Sequence, residues 1–408
     1  MALVDAYRIC DKVLRFGGFI EIELSDAINK GIDDADFITA LCYGVIDKSF
    51  EFDYYIEKLC DVLPKKSIRT ILKIGFYQLK YMSTANYAAV NNTVEICKLI
   101  GKSQNAGFVN AVLKKFMDCN LKLTSSDLVL NLSVKYSYPK WIVEKYLERF
   151  GKSDTEKILA FTDSKLEHVR ITAKKQEFIY LLEKSNIKYE PSILENAVYC
   201  DYKNLLKSDI AKDKYIGQNL GSMMIVDAMK IKPNDTVLDC CAGPGGKTAY
   251  IAALTDSVIT ACDITKHKTD RINELTKRLN IKNVETKISD GTVFNKDLGQ
   301  FEKVLCDVPC SGLGIVYSKP DIKIHRQLSD IDSLTKLQYD ILNTAQNYVK
   351  SGGYLMYSTC TLLKEENEAL TDKFLKDNAN FEKIEEKTIL PYLYNTEGFY
   401  YCLMKKNP

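Results

Sequence analysis

Two cysteines in the C-terminal half of the chain stand where apolar, β-rich runs end. Cys310 lies in the sequence Asp-Val-Pro-Cys-Ser-Gly, and Cys360 lies in the sequence Tyr-Ser-Thr-Cys-Thr. In a doubly wound sheet, ligands bind beyond the carboxyl ends of the strands, so both thiols are expected at a ligand-binding edge. A thiolate can form a covalent bond to a substrate and so activate it. The pair therefore predicts group transfer onto a base that needs a covalent nucleophile.

A glycine-rich turn follows a third apolar run, residues 237–241. The turn consists of Cys241, Ala242, Gly243, Pro244, Gly245, Gly246 and Lys247. Its glycines let the backbone approach a ligand closely, and amide groups at the start of the next helix would face that ligand. The pattern differs from the G-x-G-x-x-G of dinucleotide folds. Taken alone, the glycines favour a plain tight turn, but the strand ends nearby indicate a site for a nucleotide-like cofactor.

Three aspartates close neighbouring predicted strands: Asp263 the second, Asp290 the third and Asp307 the fourth. The carboxylate of Asp263 is suited to the two ribose hydroxyls of a cofactor, and Asp290 would lie beside an adenine edge. Each aspartate alone is more often a helix cap or a turn residue. Three carboxylates at one edge repel each other, which argues against a purely structural role. Together they predict a pocket for a ribose, a base amine and a cation, the groups that S-adenosylmethionine carries.

Methylation at carbon 5 of cytosine explains why such a site would need thiols. That carbon becomes nucleophilic only after a thiolate adds to the neighbouring ring carbon. An unperturbed thiol has a pKa of about 8.5, so a nearby cation such as Lys247 would raise the thiolate fraction. Asp307 could hold or donate the proton that the ring nitrogen takes up. A second thiol would act later, when the ring loses its proton and the covalent bond breaks.

The elements that would position these residues alternate along residues 218–408. The predicted strands are 236–241, 258–263, 284–290, 303–308 and 354–360, and the predicted helices are 247–254, 268–279 and 328–349. This alternation predicts a Rossmann-like α/β fold, a mostly parallel sheet with helices on both faces. Two further strands, 381–384 and 399–404, are expected at one edge. Cys240, Cys262 and Cys306 lie within the strand patterns and are interpreted as small buried hydrophobes.

The remaining sequence predicts two smaller domains in front of the α/β part. Residues 1–125 have apolar residues at three- and four-residue spacing, which predicts an all-α domain. Residues 1–61 carry 6 Lys/Arg and 13 Asp/Glu, whereas residues 62–125 carry 10 and 2. The basic half is a candidate phosphate-contacting surface, or else the two halves neutralise each other within one bundle. Residues 126–217 are predicted to form a small α/β linker domain, including a helix over 142–150.

Composition bounds the class of protein. The 408 residues, 27% of them charged and with a net charge of +2, fit a globular protein of two or three domains. The 13 cysteines include no C-x-x-C pair and the three histidines lie far from any cysteine cluster, so no metal site is expected. Free thiols in this number fit a reducing compartment. Without a signal peptide or an apolar run of membrane-spanning length, the expectation is a soluble, cytoplasmic protein with no membrane partner, and nothing indicates more than a monomer.

Several segments together resemble the Fmu/Sun family of RNA 5-methylcytosine methyltransferases. Residues 307–312 match the D-x-P-C-S-G signature of that family, and residues 238–248 are similar to its cofactor loop. Further similar segments are 218–222, 319–322, 352–361 and 397–400. In the N-terminal part, the segments 43–45, 75–79, 88–91 and 107–113 resemble the helical NusB-type RNA-binding domain that marks one branch of the family. The resemblance covers nearly the whole chain.

The resemblance implies roles that the residues alone left open. Cys360 would be the attacking nucleophile, and Cys310 would assist product release. The residues implied in binding S-adenosylmethionine are residues 241–247, Asp263, Asp290 and Asp307. The implied substrate is small-subunit (16S) ribosomal RNA. One departure is Gly243, where the family usually has alanine, and the smaller residue should loosen the loop slightly while leaving its backbone contacts possible.

Other functions were weighed against this one. In a DNA cytosine methyltransferase, the thiol of the Pro-Cys sequence, Cys310, would attack instead. The second thiol, Cys360, and the NusB-like front part argue against that alternative. A methyltransferase acting on another RNA is a further alternative, and so is a non-catalytic RNA-binding factor that keeps the sheet as a scaffold. Both thiols and all three strand-end aspartates are present, which argues against the scaffold.

Overall fold

The computed structural model describes residues 2–119, 125–162 and 166–408. The chain divides into two compact units, one formed by Met1–Ala160 with Val316–Arg326 and the other by Phe161–Ile315 with Gln327–Pro408. The α-helices are α1 (Ala2–Phe16), α2 (Ile20–Asn29), α3 (Ala35–Asp47), α4 (Ser49–Leu59), α5 (Lys66–Tyr81), α6 (Asn86–Leu99), α7 (Ala106–Asp118), α8 (Leu128–Tyr136), α9 (Lys140–Leu159), α10 (Lys175–Lys184), α11 (Tyr202–Lys207), α12 (Leu220–Ala228), α13 (Gly246–Ile251), α14 (Lys266–Arg278), α15 (Ile322–His325), α16 (Asp330–Ala345), α17 (Glu368–Asp377) and α18 (Pro391–Tyr394). The strands are β1 (Glu167–Ile171), β2 (Tyr189–Pro191), β3 (Ala197–Cys200), β4 (Tyr215–Gly217), β5 (Val237–Asp239), β6 (Ile259–Asp263), β7 (Val284–Ile288), β8 (Phe301–Asp307), β9 (Val349–Thr359), β10 (Phe381–Ile389) and β11 (Phe399–Lys406).

The first unit is helical, as its apolar spacing predicts. Ile68 and Ile71 on α5 are buried in its core. Gly75 on the same helix lies where α6 and α7 approach, because a Cβ atom there would lie 2.6 Å from Leu113 and 3.0 Å from Thr93. A larger residue would force these helices apart. The predicted all-α character of the N-terminal part is confirmed.

The division of charge in this unit is partly internal. Lys73 is buried and donates hydrogen bonds to Asp53 (2.8 Å) and Ser49 (2.5 Å). Burial lowers the pKa of Lys73, and the nearby Asp53 carboxylate opposes that effect. This ion pair joins the basic half of the N-terminal sequence, residues 62–125, to the acidic half, residues 1–61. Other lysines of the basic sequence, Lys65, Lys66, Lys114 and Lys115, are exposed.

A small antiparallel sheet begins the second unit. Its strand order is β2-β3-β1-β4, and α10 and α11 pack against it around Phe178 and Leu205. This sheet confirms the small α/β part predicted for the middle of the chain. The helix predicted for residues 142–150 is the first part of α9, which is broken at Gly151 (φ 68°, ψ 178°). The proposed boundaries at residues 125 and 217 stay predictions.

A seven-stranded sheet forms the rest of the second unit, in the order β10-β11-β9-β8-β5-β6-β7. Strands β5 to β9 run parallel to one another, whereas β11 is antiparallel to β9 and β10 is antiparallel to β11 at one edge. Because successive side chains of a strand point to opposite faces, alternate residues enter two cores. Val304 and Tyr357 pack with α16 and α17 in one, whereas Leu305 and Met356 pack with α12 and α13 in the other. The predicted mostly parallel sheet with helices on both faces is confirmed.

The observed strand ends differ from the predicted ones in informative ways. Strand β7 ends at Ile288, two residues before Asp290, and Val349, predicted as helical, begins β9. Strand β10 continues to Ile389, beyond its predicted end at residue 384. The charged residues of β10 lie on an edge strand. An edge strand tolerates polar residues, so β10 continues beyond the point where the apolar pattern predicted its end.

Candidate active site

The carboxyl ends of the parallel strands meet where the strand order reverses. The first strand of the parallel sheet, β5, has β6 on one side and β8 on the other, and open α/β sheets bind ligands at such a point. Lys247, which follows the glycine turn after β5, reaches across to Asp307 at the end of β8, with 2.7 Å between Nζ and Oδ2. Ser358 on β9 donates a hydrogen bond of 2.7 Å to Oδ1 of Asp307. Both carboxylate oxygens of Asp307 are therefore held.

The ion pair between Lys247 and Asp307 fixes a positive charge beside the thiols. Burial alone would lower the pKa of Lys247, but the charge and hydrogen bond of Asp307 outweigh burial and raise it. Electrostatic interaction with Cys360 raises the pKa of Lys247 further. Lys247 therefore keeps its positive charge and lies within electrostatic reach of the Cys360 side chain.

The two thiols predicted to meet at this edge are in contact. The Sγ atoms of Cys310 and Cys360 lie 3.2 Å apart, and both residues are partly exposed. The hydrogen bond with Cys360, followed by burial, holds the pKa of Cys310 well above its ordinary value. Either sulfur can donate across this contact, so the two thiols form one hydrogen-bonded pair at the edge of the sheet.

Close backbone packing supports the turn that bears Cys360. The Gly314 N–H donates to the Cys360 carbonyl (2.9 Å), and the Gly398 N–H donates to the Gly314 carbonyl (2.7 Å). A Cβ atom at Gly314 would lie only 2.1 Å from the Gly398 oxygen, so no other residue fits. Sequence reasoning gave Gly314 no role, because its contact lies on a segment distant in sequence.

The glycine turn is tied to the end of β6. The Gly243 N–H donates to Oδ2 of Asp263 (2.9 Å), and Lys268 lies 3.1 Å from Oδ1 of the same carboxylate. A Cβ atom at Gly243 would lie 2.8 Å from Oδ2, so glycine permits this close approach. Gly245 has a φ of 105°, a conformation that favours glycine. The structure therefore brings the turn and Asp263 together.

Asp290 lies farther from the pair of thiols along the sheet edge. It is exposed, and one of its oxygens accepts hydrogen bonds from the Thr292 N–H (2.9 Å) and hydroxyl (2.7 Å). These hydrogen bonds lower the pKa of Asp290. The next residue, Gly291, approaches the turn, since a Cβ atom there would lie 4.0 Å from Sγ of Cys241. The loop after β7 thus borders the turn, although no contact joins Asp290 to it in the described chain.

Asp239 at the end of β5 is a candidate residue that sequence reasoning left without a role. Oδ2 accepts a hydrogen bond from Thr248 (2.7 Å), whereas the buried Oδ1 has no partner among the described residues. Burial raises the pKa of Asp239 to about 7. An unpartnered buried acceptor beside the turn suits a ligand with a donor group, such as the ammonium of an amino acid. The donors and acceptors present therefore fit S-adenosylmethionine.

Two models of known families match the chain. The model "16S rRNA methyltransferase RsmB/F" matches residues 226–405, and the NusB family model matches residues 8–118. The probable ribosomal RNA small subunit methyltransferase B of Bacillus subtilis is 31% identical, covering 94% of this chain and 92% of its own. The ribosomal RNA small subunit methyltransferase B of Photorhabdus laumondii is 30% identical, covering 93% and 92%. The chain belongs to the RsmB/F family. The resemblance to this family is confirmed, and so is the NusB-like character of the N-terminal part.

Solved structures show the same fold. PH0851 superimposes with a TM-score of 0.81 at 22% identity, covering 99% of both chains. NSun6 from Pyrococcus horikoshii, solved with SFG, has a TM-score of 0.60 at 21% identity and covers 67% of this chain and 99% of its own. Methyltransferases of the RsmB/F family depend on S-adenosylmethionine, which confirms the predicted cofactor.

Metal clusters and membrane-spanning helices are both absent from the described ranges. No group of three or more His, Cys, Asp or Glu side chains in them is arranged to hold a metal ion. None of the helices in the same ranges combines the length and the apolar character that crossing a membrane requires.

Proposed function

We propose that the protein transfers a methyl group from S-adenosylmethionine to carbon 5 of a cytosine in small-subunit (16S) ribosomal RNA, through a covalent bond between Cys360 and carbon 6. The observation that carries the proposal is the 3.2 Å contact between the Cys310 and Cys360 thiols at the carboxyl edge of the sheet. Membership of the RsmB/F family supports RNA as the substrate class.

Cys360 is assigned the attack on the ring. Lys247 supplies a positive charge near the proposed Cys360 thiolate. With Cys360 as the thiolate, the Cys310 thiol is the donor across their 3.2 Å contact. As the Cys360 sulfur bonds to carbon 6, the Lys247 ammonium passes a proton through the Asp307 carboxylate to the ring nitrogen at position 3. Asp307 is suited to this because Lys247 and Ser358 hold both its oxygens in place. Carbon 5 is then nucleophilic.

The binding residues hold the cofactor and the base in contact. The glycine turn, Asp263 and Asp290 would bind S-adenosylmethionine, with Asp239 as a further acceptor. Bound there, the cofactor supplies the electrophilic methyl group that carbon 5 accepts. Asp307 carries a negative charge at the same edge, which favours a cation nearby.

Cys310 is assigned the release step. Once Cys360 has become a thioether, it no longer offers a thiolate to the Cys310 thiol, so the largest cause of the raised pKa of Cys310 is removed. The Cys310 thiol first passes its own proton to solvent, which its partial exposure allows. The resulting thiolate takes the proton from carbon 5, and that C–H electron pair forms the double bond between carbons 5 and 6. The bond between carbon 6 and Cys360 breaks, and its electron pair returns to sulfur as a thiolate. The ring nitrogen returns its proton through Asp307 to Lys247.

The helical N-terminal part is assigned RNA binding. Its NusB family match and the exposed lysines Lys65, Lys66, Lys114 and Lys115 support contacts with phosphates. The division into residues 1–125, 126–217 and 218–408 and a monomeric state belong to the same proposal.

A single gel assay tests the thiol assignments. Small-subunit RNA transcript is incubated with S-adenosylmethionine labelled in its methyl group and with wild type, Cys360→Ala or Cys310→Ala, and products are separated on a denaturing gel. We expect labelled RNA with wild type, no label with Cys360→Ala, and a protein–RNA adduct with Cys310→Ala. Cofactor affinity of both variants should stay near that of wild type.

Other outcomes discriminate the alternatives. An adduct that persists with Cys360→Ala and is lost with Cys310→Ala would move the nucleophile to Cys310, as in a DNA-type mechanism. Labelling of DNA in place of RNA would change the substrate class. Absence of label in every lane, also with an assembling small subunit as substrate, would favour the non-catalytic RNA-binding factor.

A further inference from the structure

We propose that Glu366 and Asn367 are positioning residues that hold Cys310 and Cys360 in contact. The two residues are adjacent in sequence and fully buried. Glu366 binds the turn that bears Cys310, and Asn367 binds the turn that bears Cys360. This inference rests on the proposed function for its kinetic consequences but not for its geometry.

Glu366 brackets Cys310 on its C-terminal side. Its Oε1 accepts a hydrogen bond of 2.8 Å from the Ser311 N–H, and its Oε2 lies 2.5 Å from the Ser311 hydroxyl. Gln338 on α16 extends the hold to the other side, because its Nε2 donates to the Pro309 carbonyl (3.0 Å) and to Oε1 of Glu366 (2.8 Å). Both neighbours of Cys310 are thus bound to one buried carboxylate, directly or through Gln338.

Asn367 brackets Cys360 in the same way. Its Oδ1 accepts a hydrogen bond of 2.6 Å from the Thr359 hydroxyl, and its Nδ2 donates to the Thr361 carbonyl (2.9 Å). Asn367 occupies the N-cap position of α17, yet its side chain makes no capping hydrogen bond to that helix. An asparagine at this position ordinarily stabilises its helix by capping it. Here the side chain binds the Cys360 turn instead.

A direct link joins the two turns. The Ser311 hydroxyl lies 2.8 Å from the Thr361 hydroxyl as well as 2.5 Å from Glu366. Since a hydroxyl has one hydrogen and a carboxylate can only accept, Ser311 donates to Glu366 and the Thr361 hydroxyl supplies the second hydrogen. The residues that follow Cys310 and Cys360 are therefore bonded to each other and to Glu366.

The Glu366 side chain is held by hydrogen bonds. In the part of the chain that the structure describes, Glu366 forms no ion pair, although its side chain is fully buried. Burying a carboxylate without a cation is costly, so a residue serving stability alone would more often be apolar or paired. Retention of the carboxylate is explained by the turn it holds.

The first test measures the separation of the thiols without RNA or cofactor. Diamide, an azo oxidant, takes two electrons and two protons from a pair of thiols and becomes a hydrazine, while one S–S bond forms. We expect Glu366→Ala and Asn367→Ala to form the Cys310–Cys360 disulfide about tenfold more slowly than wild type, because intramolecular reactions depend steeply on the placement of the reacting atoms. Peptide mass spectrometry measures the disulfide over time.

A second variant of Glu366 separates hydrogen bonding from charge. In Glu366→Gln, the amide oxygen can accept from the Ser311 N–H and Gln338, and the amide nitrogen can donate to the Ser311 hydroxyl, which then donates to Thr361. We expect the wild-type rate of disulfide formation with this variant. A slow rate in a folded Glu366→Gln protein would show that charge, not hydrogen-bonded placement, is required, and would overturn the inference.

The kinetic test separates the two residues. Glu366→Ala should slow decay of the protein–RNA adduct and let it accumulate, as with Cys310→Ala, whereas Asn367→Ala should slow single-turnover methyl transfer without an adduct. The KM for S-adenosylmethionine should stay unchanged in both. Asp227→Ala is the control, because Asp227 on α12 is a half-buried carboxylate, apart from the thiol turns and the proposed binding residues, that accepts a hydrogen bond of 2.5 Å from the Tyr250 hydroxyl. It should lower stability and leave both rates unchanged.

The results distinguish failure of this inference from failure of the proposed function. Wild-type disulfide rates in folded Glu366→Ala and Asn367→Ala would overturn the inference whatever the enzyme does to RNA. If Glu366→Ala does not fold, Ser311→Ala removes only the hydroxyl that Glu366 holds and should slow disulfide formation in the same direction. An unchanged rate in that variant would also overturn the inference. Absence of methyl transfer by wild type would instead contradict the proposed function, while the disulfide rates would still report on position.

Discussion

Two cysteine pairs in one sheet differ in where the strands place them. Cys240 and Cys306 are neighbours across β5 and β8 in the sheet interior, 6% and 0% exposed, whereas Cys310 and Cys360 meet beyond the carboxyl ends and are partly exposed. In each pair, the partner thiol and then burial hold the pKa of one member well above its ordinary value. A raised thiol pKa therefore does not identify a catalytic cysteine.

The surroundings explain the difference between the pairs. The interior thiols pack among apolar side chains such as Val304 and Leu355, where nothing can react with them. At the edge, a lysine cation lies near Cys360, and buried polar side chains hold both turns. Access, a neighbouring cation and held turns distinguish the pair proposed to react from one that only fills space.

Oxidation should show the largest difference between the two cysteine pairs. With diamide, we expect Cys310 and Cys360 to form a disulfide and methyl transfer to fall below detection, because a disulfide leaves no thiolate to attack the ring. A dithiol reductant should restore the activity. Cys240 and Cys306 should stay reduced, since the oxidant cannot reach them. Peptide mass spectrometry and initial rates measured on the same samples check both expectations.

Controls make this result specific. Cys119 is exposed and reports through its own modification that the oxidant was active. A Cys119→Ala variant should lose and regain activity as wild type does. A disulfide between Cys240 and Cys306, or full activity with Cys310 and Cys360 joined, would contradict the comparison.

Local patterns in the sequence were enough to predict the fold. Short apolar strands alternating with helices indicated the parallel sheet, because such strands are buried on both faces. The antiparallel edge strand β10 was predicted too short, since its charged residues hide the strand pattern. The helix predicted to reach Val349 ends earlier, at Ala345. Such ends depend on neighbouring strands and not on local residues.

The candidate site was predictable only where its residues lie at strand ends. Cys310, Cys360, Asp263 and Asp307 were found in this way, because a strand end is a local signal. Lys247 and Asp307 are 60 positions apart, and Ser311 and Glu366 are 55 apart. Nothing in a single sequence indicates such pairings, so the roles of Asp239, Gly314, Glu366 and Asn367 needed the structure.

A substitution in the glycine turn should weaken cofactor binding, a smaller effect than the loss of activity expected on oxidation. It compares two glycines as the preceding test compares two pairs of thiols. In Gly243→Ala, the new Cβ atom would meet Oδ2 of Asp263 at 2.8 Å and Cβ of Lys268 at 2.9 Å. Overpacking of this kind costs about 1–3 kcal/mol, so we expect S-adenosylmethionine to bind about tenfold more weakly. Isothermal titration of the cofactor measures the change.

Gly246→Ala is the matched control for the turn. The nearest atom to a Cβ there is Nε2 of Gln218 at 3.6 Å, an ordinary contact. Its affinity should equal that of wild type. Equal weakening by both substitutions would show that the whole turn is sensitive, and unchanged affinity of Gly243→Ala would show that Asp263 can shift at no cost to binding.

The smallest expected effect concerns a third interior thiol, Cys262. Burial raises its pKa from an ordinary value of 9.0 to about 12. Between these values the unfolded chain releases the thiol proton and the folded chain keeps it, so the free energy of unfolding falls as pH rises, by up to about 1.4 kcal/mol per pH unit. In Cys262→Ala this contribution is absent, and we expect a shallower fall between about pH 9 and about pH 10.5, with about 1 kcal/mol less stability near pH 7 from lost packing. Urea unfolding across this range measures both, and the exposed Cys119→Ala should keep the wild-type slope.

Equal slopes for Cys262→Ala and wild type would show that the interior thiol ionises as freely as an exposed one. The contrast between interior and edge cysteines would then rest on access alone.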